Sequence, residues 1–175
     1  MIGLNIGSGQ RRFETTPEVT WTNVDCVSRE GQVPDVVDDA RSLATFPADY
    51  ADVVVLHHVL EHFTLPDAEK VISACYRVLR LGGGLIIALP SMRALCQSWL
   101  MGKISDYIFF VNTYGAYQSE EGDIHKWAYT QESLNCLLAG TGRTWQPLVR
   151  LTYDSPYAKL VVRDWWTQEW ATNKI

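Results

Sequence analysis

Three groups of residues near the start of the chain have the types and spacing to bind a ligand. Gly7-Ser8-Gly9 follows directly on the apolar run Ile2–Ile6, and a residue without a Cβ lets a ligand approach the backbone closely. Asp25 stands 16 positions after Gly9, at the end of a second short run. Doubly wound sheets place at such a point a carboxylate that binds ribose hydroxyls. Asp38-Asp39-Ala40-Arg41-Ser42-Leu43 follows a third run, where a carboxylate can accept from an adenine amino group. Taken singly, a glycine turn, a solvated aspartate and a charged loop explain these residues equally well. Their order joins them, because each falls at the C-terminal end of a successive strand, the edge on which such sheets bind ligands. The turn does not suit a pyrophosphate: Arg12 stands at the third glycine position, and Arg-Arg-Phe is followed by Thr-Thr-Pro instead of a helical pattern.

Two further clusters carry titratable groups. His58-x-x-Glu61-His62 has the spacing of the inverted zinc-peptidase signature, which needs both histidines on one helical face and a general base. Here the segment abuts a valine-rich strand and precedes a separate helix started by Pro66, so at most one turn presents it. No third ligand is identifiable, so no resident metal is expected; zinc hydrolysis through His58, Glu61 and His62 stands as the remote alternative, and histidines hydrogen-bonded in a turn as the plain one. Asp123-Ile124-His125 offers a general base in His125, with Asp123 beside it, since an imidazole titrates near neutral pH. A hydrogen bond that merely orders a lid is the other reading.

The elements that must position these groups follow from hydrophobic period. Strands are expected at residues 2–6, 21–27 and 34–38, the last at a sheet edge. Ala51–His57 contains Val53-Val54-Val55-Leu56, a β-branched run typical of a strand covered on both faces, and is placed at the sheet centre. Ala68, Val71, Ile72, Cys75, Val78 and Leu79 recur at helical spacing behind Thr64 and Pro66, and Gly82-Gly83-Gly84 is expected to stop that helix. Leu85–Leu89, closed by Pro90, completes a βαβ unit and hence a parallel pair. Met92–Leu100 is a further helix candidate, whereas residues 102–126 are aromatic and without a clear period. Thr130 caps a helix through Ala139, ended by Gly140 and Gly142. Residues 145–153 and 157–163 flank Asp154-Ser155-Pro156 as a hairpin.

These pieces resemble the class I S-adenosylmethionine-dependent methyltransferases, especially a small bacterial and phage group. The resemblance rests on Asn5-Ile6-Gly7-Ser8-Gly9, Trp21-Thr22-Asn23-Val24-Asp25, His58-Val59-Leu60-Glu61-His62 and the glycine turn before Leu85–Pro90, and covers residues 2–90. It implies a Rossmann-like α/β fold, three-layered, with strand order 3-2-1-4-5-7-6, mainly parallel with a C-terminal antiparallel hairpin and trimmed at its N-terminus. It also implies S-adenosyl-L-methionine as cofactor and methyl transfer as the activity. By resemblance Gly7 and Gly9 border the methionine moiety, Asp25 the ribose, Asp39 and Ala40 the adenine, and His57 faces the methionine side, with Asn5 and Ser8 also among the cofactor-binding residues. Two positions depart from the family pattern: Asn5 replaces the usual acidic residue, and Arg11 stands where a third glycine is frequent. A general base at His125 suits a hydroxyl acceptor, so an oxygen on a small molecule or glycan is expected, held by residues 92–126 with Tyr107, Phe109, Phe110, Tyr114 and Tyr117 as walls or as packing against the sheet.

With 175 residues, 47% hydrophobic and 20% charged, the chain has the length and composition of one globular domain, 1–175. A net charge of −5 argues against sequence-independent nucleic-acid binding. Cys26, Cys75, Cys96 and Cys136 lack disulfide or C-x-x-C spacing and read as reduced thiols. With no signal or membrane-spanning pattern, a cytoplasmic protein is expected. Trp166 and Trp170, in the tryptophan-rich tail 164–175, are four apart on one helix face, suited to core cover or to a homodimer or partner-subunit contact. The tail and Asn5 also allow a catalytically silent cofactor-binding subunit.

Overall fold

The computed structural model describes residues 1–116, 123–147, 149–150 and 167–175. Its centre is a seven-stranded sheet in the order β3-β2-β1-β4-β5-β7-β6. The strands are β1 (Ile2–Ile6), β2 (Thr20–Asp25), β3 (Val36–Val37), β4 (Ala51–His57), β5 (Leu79–Pro90), β6 (Val149–Arg150) and β7 (Thr167–Asn173). Strands β1 to β5 pair in parallel, whereas β7 runs antiparallel to both β5 and β6. The architecture is the expected Rossmann-like one, with the valine-rich β4 in the middle and buried along its whole length.

Helix α1 (Leu65–Val78) begins with Pro66 in its first turn and buries Ala68, Val71, Ile72, Cys75 and Val78. That stripe and α4 (Gln131–Gly140), capped by a reciprocal Thr130–Ser133 hydrogen-bond pair, cover one face of the sheet with Leu4, Ile6, Val54, Leu56, Leu85 and Ile87. On the opposite face Val53, Val55, Ile86 and Ala88 pack with Trp21, against which Phe13 stands edge-on at 4.8 Å. A side chain at Gly3 would strike the Trp21 ring at 2.5 Å, so β1 passes beneath the indole only as glycine.

The structure corrects three expectations. The glycine triplet does not end α1: the backbone turns extended at Leu79, which pairs with Ala51, and Gly82-Gly83-Gly84 lies inside β5 at an irregularity in its register with β4. Burial of Leu79 in the sheet stops the helix earlier than the glycines could, and Gly83 is needed because a Cβ there would sit 2.8 Å from the Arg80 carbonyl oxygen. Residues 102–126 contain a further helix, α3 (Asp106–Tyr114), packed on α2 (Met92–Leu100). The C-terminal tail contains an inner strand: residues 167–173 pair with β5, so Trp170 lies on a strand and not on a helix face. The segment 157–163, Trp165, Trp166 and Tyr117 lie outside the described residues. Among the described residues no helix is long and apolar enough to cross a membrane.

Candidate functional site

The chain leaves β1 through Gly7 and Gly9, both in the left-handed region at φ 66° and 46°. A Cβ on Gly7 would meet Val59 at 2.6 Å, whereas one on Gly9 would meet nothing within 4 Å. On the side a Cβ would take, Gly7 therefore packs against Val59 and Gly9 leaves open space. At the end of β2, Asp25 accepts the Gly9 N–H at 2.9 Å and the Val27 N–H at 3.2 Å, which ties the two strand ends together. A cavity of about 510 Å³ opens there, at the C-terminal edge of the parallel strands, and Gly7, Gly9, Asp25, Asp39 and Ala40 line it. Asp39 forms a two-point ion pair with Arg41, which holds its carboxyl below the usual range.

Three of the sequence-derived candidates fall outside that lining. Asn5 is buried, and its amide nitrogen donates to Asn23 Oδ1 at 2.9 Å and to the Arg11 carbonyl at 2.7 Å. Ser8 is buried beneath the turn. The ring of His57 receives the Arg11 guanidinium, 2.8 Å from Nε2. In its place His58 lines the cavity, because a left-handed backbone at φ 55° swings the chain off β4 at that residue. Cys26, His62, Phe63 and Lys126 also line it and were not singled out as cofactor neighbours from sequence. The only sequence signal for them is position: each lies just beyond a strand end or beside Asp123-Ile124-His125.

The second group of candidates gathers at the same cavity. After β4 a single 3-10 turn, Leu60–His62, carries the fully buried Glu61. The Glu61 carbonyl accepts the Lys126 and Trp127 N–H groups at 2.6 and 3.2 Å, and His62 Nδ1 lies 3.2 Å from the Ile124 carbonyl. These bonds dock residues 124–127 on the turn and bring His125 edge-on to His62, with ring centroids 4.9 Å apart. Asp123 lines the cavity, while His125 faces an adjoining hollow of about 310 Å³ with Thr113, Tyr114 and Trp127; Lys126 borders both. Burial lowers the His125 imidazole below its usual range, against the attraction of Glu61. Of the aromatic residues expected to wall an acceptor pocket, Tyr114 borders this hollow, Phe109 stacks on Trp99 at 4.7 Å, and Tyr107 and Phe110 are exposed. Gly115 closes the corner, since a side chain there would overlap the Asp123 carbonyl.

Residues 12–87 match the family model described as a methyltransferase domain. A solved S-adenosylmethionine-dependent methyltransferase from Archaeoglobus fulgidus superposes with TM-score 0.61 at 16% identity, covering 99% of this chain and 86% of that one. One from Methanosarcina mazei gives 0.62 at 16% identity, covering 99% and 92%. The 1,6-didemethyltoxoflavin-N1-methyltransferase of Burkholderia thailandensis, solved with its substrate and S-adenosylhomocysteine, gives 0.58 at 16%, covering 99% and 70%. No curated protein matches the sequence. Sheet order and these likenesses show the Rossmann-like fold that these solved methyltransferases share.

Proposed function

We propose that this chain, acting as one domain over its whole length, transfers the methyl group of S-adenosylmethionine to an oxygen of a small-molecule or glycan acceptor. The observation that carries the reading is the cavity at the C-terminal strand edge, where Gly9, Asp25 and Ala40 converge from three successive strand ends. Gly7 and Gly9 admit the methionine moiety to the backbone, Asp25 accepts from the ribose hydroxyls, and Asp39 with Ala40 borders the adenine. Asn5, Ser8 and His57 act from behind, by holding the strand ends in place.

The transfer itself is an in-line displacement: the acceptor oxygen bonds to the methyl carbon, the carbon–sulfur bond breaks, and S-adenosylhomocysteine leaves with the electron pair. Positioning supplies most of the rate in such a step. A hydroxyl acceptor must also lose its proton, and the corner formed by Asp123 and His125 is where it is taken up. The adjoining hollow beside Tyr114 and Trp127 is the acceptor's place.

Isothermal titration with S-adenosylmethionine and S-adenosylhomocysteine tests the reading. Binding of both is expected, and Asp25→Ala should weaken it by about 1–3 kcal/mol, the worth of hydrogen bonds to a charged group. His125→Ala should lower turnover far more than cofactor affinity. Absence of binding to either nucleoside overturns the proposal.

A further inference from the structure

From the juxtaposition of Glu61, His62 and His125 we infer a binding site for a first-row divalent cation on the cavity wall. One ligand atom from each of the three lies within 4.8 Å of the other two, a spacing from which side-chain movement must draw them in to hold an ion. Sequence spacing supplies two of them on the 3-10 turn; the third arrives through the docking of residues 124–127 on the Glu61 carbonyl.

Two independent features point to a ligand here. The first is unmet polarity. Glu61 is fully buried, its Oε1 lies 3.0 Å from His58 Nδ1, and its Oε2 has no hydrogen-bond partner among the described residues. The hydroxyl of the buried Tyr129 likewise has none among them. Buried polar atoms without partners are rare in native proteins, and an ion or a water is one of the things that satisfies them. The second is the tautomer. His62 Nδ1 lies 3.2 Å from the Ile124 carbonyl oxygen, and His125 Nδ1 lies 3.0 Å from the Asn112 carbonyl oxygen. A carbonyl can only accept, so each Nδ1 carries the proton, and in the neutral ring each Nε2 is left with its lone pair. Carbonyl acceptors behind two imidazoles are the outer-sphere arrangement that orients metal-ligating histidines.

Two imidazoles and one carboxylate suit zinc, manganese or cobalt better than magnesium or calcium, which prefer oxygen donors throughout. The set differs from the inverted zinc-peptidase arrangement, since His58 stands outside it as a partner of Glu61. Three protein ligands leave a coordination position open, and His62 lines the cavity, so an ion held here stands beside the methyl-transfer site. There it would draw in the acceptor oxygen and lower the pKa of its hydroxyl, and with His125 Nε2 on the ion the released proton would pass to Asp123 or solvent in place of His125. That task rests on the methyltransferase reading; cation binding does not.

The test uses the full chain, without a histidine tag, stripped with a chelator and dialysed. Titration with Zn2+ and separately with Mn2+ is expected to give one ion per chain and a rise in melting temperature. His62→Ala, His125→Ala and Glu61→Gln should each weaken binding at least about 100-fold, since even outer-sphere partners are worth 10–100-fold. The Co2+-loaded chain should show visible absorption bands that the double histidine variant lacks. Either no binding by the wild-type chain, or equal binding by a folded His62→Ala/His125→Ala variant, overturns the site. S-Adenosylhomocysteine titrated into the same stripped sample separates the two proposals, because its binding without metal binding overturns only the cation site, and the converse overturns only the methyltransferase reading.

Discussion

Asn5 presents its amide nitrogen to two oxygen atoms, Asn23 Oδ1 and the Arg11 carbonyl. The position therefore requires a donor, and an acidic residue would face two acceptors in a buried site. Asn5→Asp is expected to destabilise the fold by about 1–3 kcal/mol, read as a lower midpoint in urea, although it restores the residue type usual in the resembling family. Cys26 tests the cavity. It lines the wall beside Asp25, and partial burial followed by the Asp25 charge pushes its thiol up. Iodoacetamide should label it more slowly than Cys136, exposed like it but without the Asp25 charge beside it, and S-adenosylhomocysteine should slow it further; the buried Cys75, pushed up to about 12, should stay unlabelled in the folded chain. Equal labelling of Cys26 with and without the nucleoside would argue against its place in the cofactor site. That Gly7, Gly9, Asp25, Asp39 and Ala40 meet at one cavity was legible in the sequence, because strand ends deliver whatever follows them to one edge. His57 was not, because a left-handed backbone at a histidine carries no sequence mark, and that single turn passes the lining position to His58.

At the scale of elements, β3 is only two residues long and depends on side-chain bonds made just before it. Asp35 accepts both the backbone and side-chain N–H groups of Asn23 and pairs with Arg12. The Asn23 bonds first, and then Arg12, hold its carboxyl below its ordinary 3.8. With the folded value depressed, the contribution is complete above pH 3.8 and is lost as pH falls through the folded value. Asp35→Asn should thus cost about 1 kcal/mol at most near neutrality, since the pair is solvent-screened, and almost nothing in strong acid. Urea melts at the two pH values check this, and an unchanged difference would contradict it. Strands and the two amphipathic helices were readable from their periods. Helix α3 was not: its apolar residues run consecutively from Tyr107 to Val111 and none of its residues is buried, so no period exists to detect. Its ends were the available signal, Ser105 accepting the Ile108 N–H at the start and Gly115 at the finish.

For the whole molecule, what the sequence alone could not convey is how distant segments meet. No spacing rule places His125 beside Glu61, because the contact depends on backbone hydrogen bonds across more than sixty residues of chain. The C-terminal strand raises the same point. Lys174 bonds the Leu79 carbonyl and pairs with Asp49, and the Ile175 carbonyl accepts the Tyr76 hydroxyl, so the last residues are fastened to the start of β5 and the end of α1. Strand β7 stands between β5 and β6, which do not pair with each other. In the finished sheet β6, though earlier in the chain, is joined to β5 only through β7. Pulse-labelled hydrogen exchange during refolding should find amides of 167–173 protected before, or together with, those of 149–150, and never after. A chain halted between the two strands would expose the edge of β5 as an open template for other chains.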